Sequence, residues 1–160
     1  MADARSFYEA IINAGTILTG FCGTFLAFRI SREASYYRQP ALDFETERAK
    51  DIEIHLAHFT SPLLLLVLAS LCSAIFGFVF PLLALAGWSW ALARPSFVAG
   101  GLVSSLVLVI AYFADELVHY EVLRRPLIHD AREWGREKLV VAAGIVLALG
   151  TGTGVCLTFS

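Results

Sequence analysis

The sequence predicts an all-α integral membrane protein, folded as a four-transmembrane-helix bundle. Of its 160 residues, 58% are hydrophobic and 16% are charged, whereas soluble domains usually run ~45–50% apolar and ~25% charged. The charges are also clumped, because four stretches contain none: 10–28, 59–93, 95–114 and 139–160. Each stretch is close to or above the ~20 residues that a helix needs to cross a bilayer. This composition excludes a disordered tail, a nucleic-acid-binding protein and a disulfide-rich secreted scaffold.

Prolines and capping residues suggest where the helices begin and end. Pro40 and Pro126 stop the preceding helices, Asp43 and Asp130 are candidate N-caps, and Pro81 breaks the second apolar stretch. We treat the chain as a single membrane domain over 1–160. Its predicted helices are helix 1 over about 8–30 and extending to about 38, helix 2 over about 43–80 with Pro62 near the membrane entry, helix 3 over about 96–125, and helix 4 over about 131–159.

The basic residues fall into two groups, which predict the orientation of the chain. Ten of the twelve lie in two connections, 29–58 and 115–138, and only Arg5 and Arg94 lie elsewhere. Because basic residues stay on the cytoplasmic side of a membrane, we expect both charged connections in the cytoplasm and both termini outside. The helices would then extend into the cytoplasm. The expected location is the cell membrane, or the inner membrane if the chain is bacterial.

The two charged connections resemble each other. Each carries five basic and six acidic residues. The segment Arg38-Gln39-Pro40 also corresponds to Arg124-Arg125-Pro126. One interpretation is a pair of parallel helix-hairpin repeats, related by a pseudo-two-fold axis along the membrane normal. The other is that any two cytoplasmic turns share prolines, capping acids and basic residues. The sequence leaves both open.

Helix 1 carries a polar face that predicts a pore-lining surface in a homo-oligomer. Glu9 at the outer mouth would attract cations, while Arg29 and Arg32 would form a basic inner mouth. The alternative is helix packing, because membrane helices approach each other through small residues and hydroxyls. The pore-lining candidates, spaced as one face of a helix, are Glu9, Asn13, Thr16, Gly20 and Thr24.

A second candidate is a metal site at the cytoplasmic edge, formed by His55, His58, Glu116 and His119. Glu116 and His119 form a Glu-x-x-His pair, the unit from which di-iron helical bundles take ligands. Imidazole and carboxylate suit zinc, iron or manganese, and His58 facing His119 would suit a haem. However, a di-iron bundle needs two such pairs and the sequence has one. A solvated, charged helix end with local ion pairs explains the same residues.

The glycine-rich end of helix 4 predicts a close-packing surface through Gly150 and Gly154, with Gly144 and Gly152 nearby. No serine has both the histidine and the orienting carboxylate of a catalytic triad. No catalytic residue is therefore assigned, and the chain is expected not to be an enzyme, although the sequence does not decide this. No motif is specific enough to indicate a family.

Three functions remain open at this point. The first is a channel-like or transporter-like oligomer with an ion path lined by helix 1, whose partners are the lipid bilayer, further copies of the chain and ions. The second is a metal- or haem-binding membrane protein, with redox activity as one form. The third is a non-catalytic scaffold or accessory subunit. No nucleic-acid partner is expected, because the net charge is only −2.

Overall fold

The computed structural model is helical in the residues that it describes, and it contains four helices long and apolar enough to span a membrane. This agrees with the predicted helical class. The structure describes residues 2–37, 62–88, 94–123 and 131–158, and the side chains within them except those of 2–3, 33, 35–37, 118–123 and 131–137. The helices are α1 (Ala2–Tyr37), α2 (Pro62–Leu85), α3 (Pro95–Leu123) and α4 (Ala131–Thr158).

The first helix buries one residue in every seven along most of its length. Tyr8, Gly15, Cys22 and Arg29 are all buried, and an interval of seven residues returns nearly to the same side of an α-helix. The helix begins at Ala2, earlier than the predicted start near residue 8.

Two glycines bring α1 against α2. A Cβ atom added to Gly15 would lie 2.5 Å from the Cα of Gly77, so the two backbones touch without an intervening side chain. One turn further along α1, the hydroxyls of Thr19 and Ser73 are hydrogen-bonded at 2.5 Å. Position numbers rise on α1 as they fall on α2, and the two helices therefore run antiparallel.

The second helix passes through Pro81 instead of ending there. It is α-helical up to residue 74, π-helical over Ile75–Val79 and α-helical again over Phe80–Leu85. Proline lacks a backbone N–H, and its ring clashes with the carbonyl four residues earlier in a regular α-helix. The wider π turn, in which the N–H of Phe80 donates to the carbonyl of Ile75, accommodates the ring. The helix therefore runs past residue 80, where the sequence predicted its end.

A glycine then terminates α2. Gly87 has a φ of +86°, which is the left-handed conformation that a residue with a Cβ adopts only at a cost. The N–H of Trp88 donates to the carbonyl of Leu83 at 3.0 Å, and that of Gly87 donates to Ala84 at 3.1 Å. These two bonds form a Schellman motif, which satisfies carbonyls that the helix end would leave without partners.

The third and fourth helices form a tight antiparallel pair. A Cβ atom at Gly100 would lie 2.6 Å from the carbonyl oxygen of Gly152, so glycine is required where these backbones cross. Close by, the hydroxyl of Ser104 donates to the carbonyl of Ala148 at 2.7 Å. Such close approach strengthens the dispersion contacts that hold helices together in a bilayer.

The glycine surface predicted on α4 packs within the chain in part. Gly144 and Gly152 face α3, and a Cβ at either would collide with it. Gly150 and Gly154, the centre of the predicted surface, have nothing within 4 Å of an added Cβ. The difference follows from helical periodicity, because residues two apart point to nearly opposite sides of a helix.

All four helices contribute to one buried cluster, so the described parts of the chain form a four-helix bundle. Ser105 of α3 ties this core to α2 by donating a hydrogen bond to the carbonyl of Ala69 at 2.7 Å. The cluster consists of Cys22, Leu65, Leu66, Ala69, Leu108, Val109, Tyr112, Val141 and Ala148. Residues 38–61, with most of the first charged connection and the predicted start of helix 2, lie outside the described residues, as do residues 124–130 of the second connection and the side chains on either side of them. The resemblance between the two connections therefore stays a prediction.

Candidate functional site

The polar face that the sequence predicted on helix 1 lies on the outside of the bundle. All five of its residues are exposed, and they lie opposite the buried face formed by Tyr8, Gly15, Cys22 and Arg29. We call this surface the outward face of α1. Its members are Glu9, Asn13, Thr16, Gly20 and Thr24.

The polar groups of the outward face differ in how they are satisfied. The hydroxyls of Thr16 and Thr24 each donate to the carbonyl four residues earlier at 2.8 Å, so the helix itself satisfies them. Glu9 accepts a hydrogen bond from Arg5 at 2.9 Å, and both side chains are largely exposed. Among the residues that the structure describes, none bonds the side-chain amide of Asn13. Asn13 is thus the polar group of this face with most to gain from a partner outside the chain.

The middle of the outward face exposes backbone. An added Cβ at Gly20 or Gly23 would meet nothing within 4 Å. This contrasts with Gly15, one helix face away, where the same atom would collide with α2. Two kinds of glycine therefore occur on α1: one is used for packing within the chain, and the other is open to the surroundings.

A second group of polar residues lies inside the bundle, near the ends of the apolar stretches. The guanidinium of Arg29 forms an ion pair with Glu116 of α3. Arg29 is only 4% exposed, Asp115 beside Glu116 is 1% exposed, and the Glu116 side chain is 24% exposed. We call Arg29, Asp115 and Glu116 the charged cluster. Tyr112, one turn before Asp115 and also buried, lies within electrostatic range of Arg29 and Asp115.

The position of Arg29 corrects one part of the predicted ion path. In the predicted ion path, Arg29 forms part of the inner mouth and Glu9 lies at the outer mouth of the same path. In the structure Arg29 points to the opposite side, toward α3. The signal was present in the sequence, because Arg29 follows Cys22 by seven residues and Gly15 by fourteen, the spacing of the buried face. An arginine that follows an uncharged stretch is also expected at the membrane interface, so this spacing by itself did not predict that Arg29 is buried.

Glu116 was predicted as a metal ligand, and the structure gives its carboxylate a different partner. A metal ion bound at Glu116 would have to compete with the Arg29 guanidinium, which already contacts Oε1. No group of three or more metal-ligating side chains occurs within the described parts of the chain. His55, His58 and the side chain of His119 lie outside those parts, so the predicted metal or haem site stays a prediction.

The features described so far define a class and no more. The described chain is an all-helical protein with four helices long and apolar enough to cross a membrane. Comparison with models of protein families, with curated proteins and with solved structures finds no match. The function must therefore be argued from the two polar groups on opposite sides of α1.

Proposed function

We propose that the chain is an integral membrane protein that assembles as a homo-oligomer through the outward face of α1, with this face lining an ion path. The observation that carries the proposal is the exposure of all five polar or small residues on one side of a helix whose opposite side is buried. In a bilayer, an exposed side of a helix contacts either lipid or protein. Protein offers hydrogen-bond partners to polar groups, whereas the lipid hydrocarbon offers none.

Asn13 gives the outward face an energetic reason to avoid lipid. An amide that leaves water for an apolar environment without a hydrogen-bond partner costs about 2–7 kcal/mol. This cost recurs in every copy of the chain that exposes Asn13 to lipid. A neighbouring copy or an enclosed column of water removes the cost, because either one supplies hydrogen bonds. The exposed backbone at Gly20 lets a second helix approach closely, as Gly15 and Gly77 do within the chain.

The proposed orientation puts Glu9 at the outer side and the charged cluster at the cytoplasmic side. It is supported by the basic residues, ten of which lie in the two connections beyond the Arg29 end of α1. Glu9 would then stand at the outer entrance of the path. Its exposure of 56% leaves the carboxylate accessible to ions, although Arg5 offsets part of its charge.

Disulfide trapping tests the proposed interface. In a background in which Cys22, Cys72 and Cys156 are replaced by alanine, we expect Gly20→Cys to form covalent dimers in native membranes under mild oxidation. The reason is that Gly20 lies at the centre of the outward face with open space around it. The extent of cross-linking is measured as the dimer fraction on a non-reducing gel.

The matched control is Leu106→Cys in the same background. Leu106 is also exposed, at 49%, and lies near the middle of α3 at a comparable depth. It should give only the slow cross-linking that random collision in the membrane produces. Equal dimer fractions for the two variants would show that α1 is not the interface and would overturn the proposed assembly.

Ion flux through liposomes tests the proposed path. Reversal potentials in a KCl gradient should show permeability above that of empty vesicles. Glu9→Gln should lower the cation-to-anion permeability ratio by up to about fivefold, since one charge pair ~4 Å apart in water interacts by about 1 kcal/mol. The loss of the carboxylate also leaves Arg5 without its partner at the entrance, which adds to the shift toward anions.

Arg5→Gln is the opposite control for this measurement. It removes the positive member of the same exposed pair and should raise the cation-to-anion ratio. If the protein gave no flux above empty vesicles, the ion path would be refuted, whereas the disulfide result would still stand for the assembly. A cation-to-anion permeability ratio that is unchanged in both variants would show that Glu9 does not lie at the entrance of the path.

A further inference from the structure

The charged cluster lies on the side of α1 that the outward face does not use, and its role needs a separate explanation. Arg29 is buried and pairs with Glu116 of α3. We propose that this ion pair fixes the rotation of α1 about its own axis, so that Arg29 and Glu116 act as positioning residues for the outward face. Its effect on a neighbouring copy rests on the proposed function, whereas the rotation itself does not.

The closest contacts of α1 orient it only near the middle of the helix. Gly15 and Gly77 touch through their backbones, with an added Cβ at Gly15 only 2.5 Å from the Cα of Gly77. One turn along, the hydroxyls of Thr19 and Ser73 are hydrogen-bonded. Both contacts lie between residues 15 and 19 of α1, so a twist of the helix beyond them has to be resisted by contacts nearer to Arg29.

The aromatic contacts of α1 are also weakly directional. Phe113 of α3 packs against Phe21 and Phe25, with ring centroids 5.9 Å and 5.3 Å apart. Aromatic pairs are favourable over centroid distances of about 4.5–7 Å and in several relative orientations. These rings hold α1 near α3 over a range of rotations, and they do not select one.

The ion pair is costly to separate, because both charges lie where little water reaches them. Because Arg29 is only 4% exposed, a rotation that withdrew it would leave Glu116 with an uncompensated charge at a place with little water. Arg29 lies about 21 Å along the axis from Gly15, at 1.5 Å per residue. The two contacts thus hold α1 at well-separated points.

A disulfide within one chain reports the rotation directly. The hydroxyls of Thr19 and Ser73 are 2.5 Å apart, so Thr19→Cys with Ser73→Cys should form a disulfide readily in the background without native cysteines. Adding Arg29→Glu places a third carboxylate beside Asp115 and Glu116, and the rate of disulfide formation should fall by about tenfold or more, because cysteines whose Cβ vectors point apart cannot be bridged. Adding Glu116→Arg to that variant should restore the rate.

A second disulfide separates rotation of α1 from general unfolding. The thiol of Cys156 on α4 lies 3.5 Å from the carbonyl oxygen of Ser96 on α3. In a background that keeps Cys156 and lacks the other native cysteines, Ser96→Cys should therefore bridge to Cys156 at the same rate with and without Arg29→Glu. If this disulfide also forms more slowly in Arg29→Glu, the ion pair supports the whole bundle and the proposed positioning role is refuted.

The same variants distinguish a failure of this inference from a failure of the proposed function. With Gly20→Cys, cross-linking between copies should fall in Arg29→Glu and return in the charge-swapped double variant. A Thr19–Ser73 link that forms at the original rate in Arg29→Glu would overturn the positioning role, whatever the oligomeric state. In the remaining case, Arg29→Glu slows the Thr19–Ser73 disulfide but leaves the Gly20→Cys cross-linking between copies unchanged. This result would overturn only the effect on the neighbouring copy.

Discussion

Replacing Arg29 by leucine should lower the free energy of unfolding by about 3–5 kcal/mol, the usual cost of removing one partner of a buried ion pair. The loss arises because the Glu116 carboxylate, with 24% of its side chain exposed, stays in place without its cation. Reversible unfolding in mixed micelles, followed by tryptophan fluorescence, measures the change. The double variant Arg29→Leu/Glu116→Leu should recover a coupling energy of about 2–3 kcal/mol, since it removes both charges together.

The exposed pair on the same helix provides the control for this measurement. Arg5 and Glu9 are 77% and 56% exposed and are four residues apart. Arg5→Leu should change the free energy of unfolding by less than about 0.5 kcal/mol, because exposed pairs contribute little. A loss below about 1 kcal/mol for Arg29→Leu would mean that water reaches the charged cluster, in contradiction to its burial.

Gly15→Leu should produce the second large effect, a loss of about 1–3 kcal/mol or more in the free energy of unfolding. Even a single carbon at this position would lie 2.5 Å from the Cα of Gly77, so α1 has to move away from α2. The movement also breaks the Thr19–Ser73 hydrogen bond one turn along. The same unfolding assay measures the loss.

Gly20→Leu is the matched substitution on the open side of α1. An added side chain there meets nothing within 4 Å, and leucine is the better helix former by roughly 0.8 kcal/mol. In micelles dilute enough to keep copies apart, this variant should be as stable as the original protein or slightly more stable. Similar losses for both glycines would show that α1 is not packed on α2 through Gly15.

The helical class could be predicted from the sequence because it depends on long, uncharged stretches. Residues 10–28 and 95–114, for example, are read from composition alone, and both lie within helices of the structure. The extra length of α2 beyond Pro81 could not be predicted in this way. A proline usually breaks a helix, and α2 continues through Pro81 because a π turn precedes this proline.

The outward face and the charged cluster differ in how far the sequence reveals them. The spacing from Glu9 to Thr24 places these residues on one side of a helix, but only the three-dimensional contacts show that this side is exposed. The pairing of Arg29 with Glu116 joins residues far apart in the chain. Local patterns do not specify such a pair, and Glu116 was instead assigned to a nearby histidine, His119.

The π segment of α2 also affects the direction in which the buried residues of that helix face. Buried positions recur every fourth residue at 69, 73, 77 and 81. In an uninterrupted α-helix with 3.6 residues per turn, such a step drifts steadily around the axis. A turn closed by bonds over five residues holds more residues per revolution, and it cancels part of this drift between 73 and 81. The single extra residue therefore acts as a phase correction, which keeps α2 facing its neighbours up to its C-terminal end.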